Sequence, residues 1–344
     1  MRKLASIRKI DSIDPIEGAD AIEVATVGGW KVVVQKNEYK PGDLAVYCEI
    51  DSWIPYDLAP FLSKGKEPRE FNGVLGERLR TIKLRGQISQ GLLLKGTQFP
   101  TGLMVHRPDS MAHIFQEGDD VSQWLNIQKW EAPVPVQLAG TVKGNFPTVI
   151  PKTDQERCQN LVKEISEASA RGASFEITEK LEGSSMTCYL IDGVFGVCSR
   201  NLDLKQDENN SYWAVAISEN IEAKMREMGD NFAIQGELIG PGIQGNIYKL
   251  SKLQFYVFDI YDIVKGQYVS PPQRKEYVNK MSLNHVPVLN SNVLMCDFDI
   301  KSLLEFAEGE SKLFKTQREG IVFKEINGTM TFKAISNKYL LGLK

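Results

Sequence analysis

Lys180 sits in Glu179-Lys180-Leu181-Glu182-Gly183-Ser184-Ser185, an amine flanked by acids with a glycine three residues on. A lysine amine is a nucleophile once its surroundings disfavour the ammonium, and carboxylates are the ligands a hard cation such as magnesium takes. Taken singly, the Lys-x-acid-Gly pattern says little. Roughly one chain of this length in six would hold it by chance, and a surface lysine at a strand-to-turn junction accounts for it as well. Four further pieces follow in order: Gly236-Glu237-Leu238, Phe255-Tyr256-Val257-Phe258-Asp259-Ile260, Glu319-Gly320-Ile321-Val322-Phe323-Lys324 and Phe332-Lys333-Ala334-Ile335. Each alone reads as an aromatic core strand or an acid–glycine turn. The ordered set is what carries meaning.

The elements that must position these residues are mostly strands. Short apolar runs at 175–178, 186–190, 194–198, 232–235, 253–260, 321–324 and 330–334 predict antiparallel sheets. One helix is predicted ahead of them, with Asp154 as its cap, Cys158, Leu161, Val162, Ile165 and Ala168 on helical spacing, and Gly172 as its stop. A second, short helix is expected over 301–307. Upstream, β-branched runs at 21–27, 30–34 and 44–50 are separated by Gly28-Gly29 and Pro41-Gly42-Asp43, the pattern of a small barrel. Between them Pro133, Pro135, Pro147 and Pro151, with Gly140 and Gly144, mark a linker.

The ordered motif series resembles that of the covalent nucleotidyltransferases, which include ATP-dependent DNA and RNA ligases and mRNA capping enzymes. The resemblance spans about residues 151–344. Gly236 through Asn246, and Lys152-Thr153-Asp154 through Arg157 with Gln159-Asn160, look like RNA ligases that carry an N-terminal OB domain and seal nicks in duplex RNA. DNA ligases and capping enzymes place their OB domain after the catalytic domain, and too few residues follow Lys333 to fold one. The resemblance implies an α+β protein. An OB-type β-barrel over 1–130 and a linker over 131–151 lead into an adenylyltransferase domain of the ATP-grasp-like ligase kind over 152–344, built of antiparallel sheets with flanking helices.

By this resemblance Lys180 attacks the α-phosphate of ATP and carries AMP, while Lys333 holds the phosphate oxygens. Glu237, Glu319 and Glu182 supply carboxylates to Mg2+ or Mn2+. Phe258 stacks on adenine, Glu179 reads its amino group, and Gly183 and Lys324 belong to the nucleotide-binding motifs. Arg200 matches a position that holds the RNA 3′ end and the AMP phosphate, and Arg157 reaches the outgoing phosphates. Two departures stand out. Glu182 occupies a place usually taken by Asp, and Ile335 replaces the second lysine of the last motif, leaving Lys338 as a candidate substitute. The implied substrate is RNA with 5′-phosphate and 3′-hydroxyl ends, handled by a monomer. A DNA ligase, a GTP-dependent capping enzyme and a non-catalytic RNA-binding protein are the alternatives.

Composition bounds the rest. The 344 residues suit two domains. The net charge of −3 excludes a globally basic nucleic-acid binder, so any footprint is local. Between Lys64 and Arg85 seven bases oppose three acids, a candidate phosphate-tracking groove. Five scattered cysteines without CxxC spacing and three distant histidines argue against a disulfide framework and a structural zinc site. Met1-Arg2-Lys3-Leu4 leads into no apolar run, which predicts neither secretion nor membrane insertion and a cytoplasmic place. Gly240-Pro241-Gly242-Ile243-Gln244-Gly245 matches the dinucleotide fingerprint, but the helix that fingerprint needs cannot fit before the next strand.

Overall fold

The computed structural model describes residues 3–95, 104–106, 112–131 and 141–342. The chain divides into two compact units, Met1–Pro133 and Val134–Lys344.

Among its described residues the first unit is built of strands, with a 3-10 turn at Pro60–Ser63. Ala5–Lys9 pairs antiparallel with Leu44–Cys48, which pairs on its other edge with Leu92–Lys95. Ser12–Pro15, Ile22–Val27 and Trp30–Gln35 form a meander, in which Gly28 takes φ 57° to turn Val27 back onto Trp30. Ile7, Val46, Cys48, Ile54, Leu94 and Val121 point inward to one core, as period-2 alternation requires. The basic stretch is partly neutralised. Arg69 pairs with Glu77, and Arg78 pairs with Asp51 at 2.6 Å while stacking 3.9 Å from the Trp130 ring. Lys83 and Arg85 stay on an exposed hairpin of Ile82–Leu84 and Gln87–Ser89.

The second unit contains two sheets. The larger runs Val142–Asn145, Leu202–Leu204, Val194–Cys198, Ser184–Ile191, Phe232–Ile239, Gln254–Asp262 and Gln267–Tyr268, with Asn284–His285 added in parallel. The smaller runs Glu156–Arg157, Thr331–Ile335, Gly320–Glu325, Ser174–Lys180 and Val288–Leu294. Part of the 131–151 segment is therefore sheet: Val142–Asn145 pairs with Leu202–Leu204.

Helices cover one face of each sheet. Ser211–Ser218, Ile221–Met228 and Pro271–Lys280 bury Trp213, Met225 and Val278 against Phe255, Val257 and Ile260. Val162–Ala170 and Ile300–Ala307 bury Ile165 and Leu303 against Phe175, Phe323 and Phe332. The predicted helix at 154 thus begins later, at Val162, after the Glu156–Arg157 strand and a short 3-10 turn. Asp154 does not cap it, for its carboxylate is engaged elsewhere. Gly240–Leu250 holds turns and no helix, as the rejected fingerprint requires. No helix among the described residues is long and apolar enough to cross a membrane.

Candidate active site

Lys180 is the last residue of one sheet's Ser174–Lys180 strand, and Ser184 opens the other sheet's Ser184–Ile191 strand. Leu181-Glu182-Gly183 is the whole crossover between them. Leu181 anchors it in an apolar cluster with Ile239, Tyr248 and Val286. The Glu182 N–H donates to Tyr248 Oη at 2.6 Å. A Cβ on Gly183 would stand 2.4 Å from Leu238 O and 2.8 Å from Glu237 Cγ. No rotamer relieves an overlap with backbone. Gly183→Ala is therefore expected to push the crossover off the Phe232–Ile239 strand, destabilising the fold by about 1–3 kcal/mol. It should also cut covalent AMP labelling about tenfold or more, because Lys180 and Glu237 move apart. Thermal unfolding and a labelling assay check both, and wild-type values in the two would show that the tight approach does not matter.

The crossover brings charges together. Lys180 Nζ lies 2.6 Å from Glu319 Oε1 at the mouth of the Gly320–Glu325 strand. Burial alone would lower the Lys180 pKa, but the charges of Glu319 and then Glu237 outweigh it and hold the amine above its ordinary value. In this state Lys180 is an ammonium. Desolvation pushes Glu237 up to about 8, with Lys180 pulling against it and Glu319 adding to it. Burial also raises Glu182, whose hydrogen-bonding neighbour is Tyr339 and whose Oε2 is buried without a partner.

A second cluster gathers around Lys333, which stands level with Thr178, two residues from Lys180 along the sheet. Lys333 Nζ meets Asp154 Oδ1 at 3.2 Å, and Arg200 Nη2 meets Asp154 Oδ2 at 3.5 Å. Arg157, buried, opposes Lys333 in the parallel register, and its charge reaches Lys180. The Arg200 charge reaches Glu237, so the two clusters share one field. Asp154, read from the sequence as a helix cap, is a site carboxylate that holds two cations in place. Its Asp-before-helix spacing looks the same in either role.

Phe258 reaches the site through a bulge. Gln235 opposes Asp259 while Gly236 opposes Val257, so Phe258 is the extra residue of its strand. Phe255, Val257 and Ile260 enter the core, and the bulge keeps both Phe258 and Asp259 out of it. Phe258 instead packs beside Leu181 and Tyr248. Lys324 fixes this arrangement from below. Its Nζ donates to Phe258 O at 2.7 Å, pairs with Asp259 at 2.5 Å and lies 5.6 Å from the Phe258 ring centre. Burial brings Lys324 down to about 8, against the pull of Asp259. Behind it Arg274, fully buried, pairs with Glu176 and donates to His285 Nε2 at 2.9 Å. Burial pushes His285 down to about 4, leaving the neutral ring that can accept. Breaking such a buried pair costs about 3–5 kcal/mol, which makes this floor rigid.

Glu179 turns away from solvent, its Oε2 accepting from the Lys312 N–H at 2.8 Å and its Oε1 buried without a partner. Lys338 is drawn off to Glu308 at 3.0 Å. The step from Ile335 into the Asn337–Leu340 helix swings the side chain away from the strand direction that carries Lys333.

Among the described residues no three ligand-type side chains stand close enough to hold a metal ion, so the Glu182, Glu237 and Glu319 set is not a preformed cage. The donor chemistry nonetheless fits magnesium or manganese. Such ions need only one or two protein carboxylates when substrate phosphates and water complete the shell, and Glu237 and Glu319 already feel one another's charge.

Residues 173–340 match the RNA ligase family model, and residues 4–95 match a model of an OB-fold domain. No curated protein matches by sequence. Among solved structures, an apo aspartate-to-alanine variant of Naegleria gruberi RNA ligase is 44% identical, with 98% of this chain and 97% of that chain covered and a TM-score of 0.89. The same ligase with PPi is 45% identical over 99% and 98%, with a TM-score of 0.88. A lysine-to-alanine variant with ATP and Mn is 44% identical over 98% of each chain, with a TM-score of 0.88.

Proposed function

The chain belongs to the RNA ligase family, and we propose that it seals 3′-hydroxyl/5′-phosphate nicks in duplex RNA through a lysyl-AMP on Lys180. The observation that carries the reading is Lys180 at the crossover of two sheets, paired with Glu319 and flanked by Glu237. The relative's complexes with ATP and Mn and with PPi support ATP as the nucleotide and Mg2+ or Mn2+ as the metal.

Three transfers account for ligation. First, Lys180 Nζ gives its lone pair to the α-phosphorus of ATP as the bond to the β-phosphate oxygen breaks, releasing pyrophosphate. Next, an oxygen of the RNA 5′-phosphate attacks the same phosphorus, and the P–N bond breaks to restore the amine. Last, the 3′-hydroxyl oxygen attacks the activated 5′-phosphorus and AMP departs. A divalent cation supplies positive charge that offsets the phosphates and weakens the field keeping Lys180 protonated. Lys333 and Arg200, steadied by Asp154, stabilise the charge that gathers on the phosphate oxygens. Arg157 faces the leaving pyrophosphate. Phe258 offers its ring to adenine, and the buried Oε1 of Glu179 is an acceptor suited to the 6-amino group. Gly183 and Lys324 position the nucleophile and the stacking ring, Glu182 contributes from the margin, and Lys338, held by Glu308, takes no part.

The exposed Lys83 and Arg85 hairpin of the OB-fold domain suits contact with RNA phosphates. The tests are covalent labelling with α-labelled ATP and sealing of matched nicks. Label should stay on the protein after denaturation. RNA on the 3′-hydroxyl side should seal, with DNA tolerated only on the 5′-phosphate side, because proteins tell the two apart by the 2′-hydroxyl and A-form shape. An unlabelled protein, or equal sealing of an all-DNA nick, overturns the reading.

A further inference from the structure

Next to the Asp154–Arg200 pair the ligase unit holds an open recess of about 370 Å³. Its floor is Phe146 and Ile150, packed against Tyr189 and Cys198. Its rim carries Asn145, Lys152 and Asn201. Lys152 Nζ donates to Asn201 Oδ1 at 3.0 Å and lies 6.0 Å from the Phe146 ring centre. The Phe146 N–H donates to Asn201 O at 3.1 Å, which ties floor to rim. The recess shares backbone with the phosphate-holding cluster at two edges. Asn201 follows Arg200 directly, and Lys152 precedes Asp154 by two residues.

We propose that this recess is the subsite for the end of the RNA strand that carries the 3′-hydroxyl, holding its terminal ribose and the phosphodiester on that nucleotide's 5′ side. The inference rests on the nick-sealing reading above. The volume suits one nucleoside-sized group and not a duplex. One ammonium matches the single charge of one phosphodiester. The two amides supply both a donor and an acceptor, which is what a 2′-hydroxyl needs in order to be read. The apolar floor suits the face of a sugar. Adenine is an unsuitable occupant, because the apolar cluster beside the nucleophile, with Phe258, is built from other residues. The choice of strand follows from the chemistry. The last transfer requires the 3′-hydroxyl beside the phosphate that Arg200 and Lys333 hold, and this recess adjoins them.

The test counts sealing per adenylylated molecule, so that only charged enzyme enters the rate. Nicked RNA duplexes carry a ribose or a 2′-deoxyribose at the 3′-terminal nucleotide, at the one before it, or at the 5′-phosphate side. Lys152→Ala, at an exposed position, should raise KM for the nick about tenfold and lower the salt slope of binding by about one. Lys152→Glu should raise KM further. Asn201→Ala keeps the carbonyl that Phe146 uses and should shrink the ribose-to-deoxyribose rate ratio at the 3′-terminal nucleotide about tenfold. A merely structural role would change rates without changing that ratio or the slope. Unaltered KM, slope and ratio in the labelled variants overturn the subsite, as does a ratio that moves only on the 5′-phosphate side. A wild-type protein that takes no label or seals no RNA nick overturns the underlying reading as well, a result distinct from silent variants.

Discussion

Lys180→Ala should take no label from ATP and should lose ATP-dependent sealing by at least roughly a thousandfold, yet still join a nick whose 5′ end is already adenylylated. The side chain forms a bond in the first transfer and breaks it in the second. The third needs no bond to it. The residual reaction should fall within about tenfold of wild type, since one cation near the phosphate is lost while Lys333, Arg200 and Asp154 remain. Folding is not the obstacle, because Lys180 ends a strand whose packing rests on Phe175 and Ile177. The measurement is one purified variant on two substrates at fixed salt, since weaker phosphate binding at high salt imitates a chemical defect. ATP-dependent sealing by the variant would remove Lys180 from the centre of the reaction.

The starting charge state adds a second readout. Glu319, joined by Glu237 where that carboxyl is ionised, holds Lys180 as an ammonium, so the nucleophile must lose a proton before the first transfer. Labelling by wild type should therefore rise with pH through the neutral range. Sealing of the pre-adenylylated nick, which makes no use of the Lys180 lone pair, should follow a different profile.

What was legible beforehand divides along physical lines. The strand runs at 175–178, 194–198 and 321–324 all lie within observed strands, because β-branched and aromatic residues bounded by glycine have few other uses. Ser211–Ser218 was not foreseen as a helix. Its run Tyr212-Trp213-Ala214-Val215-Ala216-Ile217 is apolar on nearly every side, and periodicity cannot tell such a run from a buried strand. Pro271–Lys280 was hidden for the opposite reason. Apart from its opening prolines and Tyr277-Val278 it is polar, and besides Val278 it buries Arg274 in an ion pair with Glu176. The site shows the same split. Lys180, Glu237, Glu319 and Lys333 carry motif roles, whereas Asp154 lies in the stretch that resembles RNA ligases yet reads as a helix cap, and only the fold reveals that it faces Lys333 and Arg200. The bulge at Phe258 was equally invisible, since one extra residue in a ladder leaves no mark on composition.

The two carboxylates beside the nucleophile should behave differently from the nucleophile itself. Glu237→Ala and Glu319→Ala are expected to slow both ATP-dependent sealing and sealing of the pre-adenylylated nick by about a hundredfold, because phosphate charge must be managed in every transfer. A competing role for Glu319 is confined to Lys180, whose amine it holds at 2.6 Å. Glu319→Gln separates the two. The amide keeps an acceptor for the Lys180 hydrogen bond and removes the charge that most favours the ammonium. Were proton holding its whole purpose, the neutral variant would free the amine, label faster at lower pH and seal the pre-adenylylated nick normally. The expected outcome is the reverse, with both reactions slowed and partial rescue by raised Mn2+. Rescue follows because a weakened site still fills when the ion is abundant. Glu237, pushed up to about 8 by burial against the pull of Lys180 and Arg200, adds a check of its own. Its ionised form should be favoured once a cation binds, so metal uptake should release protons near neutral pH in wild type and fewer in Glu237→Gln. Equal proton release by the two proteins would take Glu237 out of the metal's surroundings and leave Glu319 as the carboxylate that serves the ion.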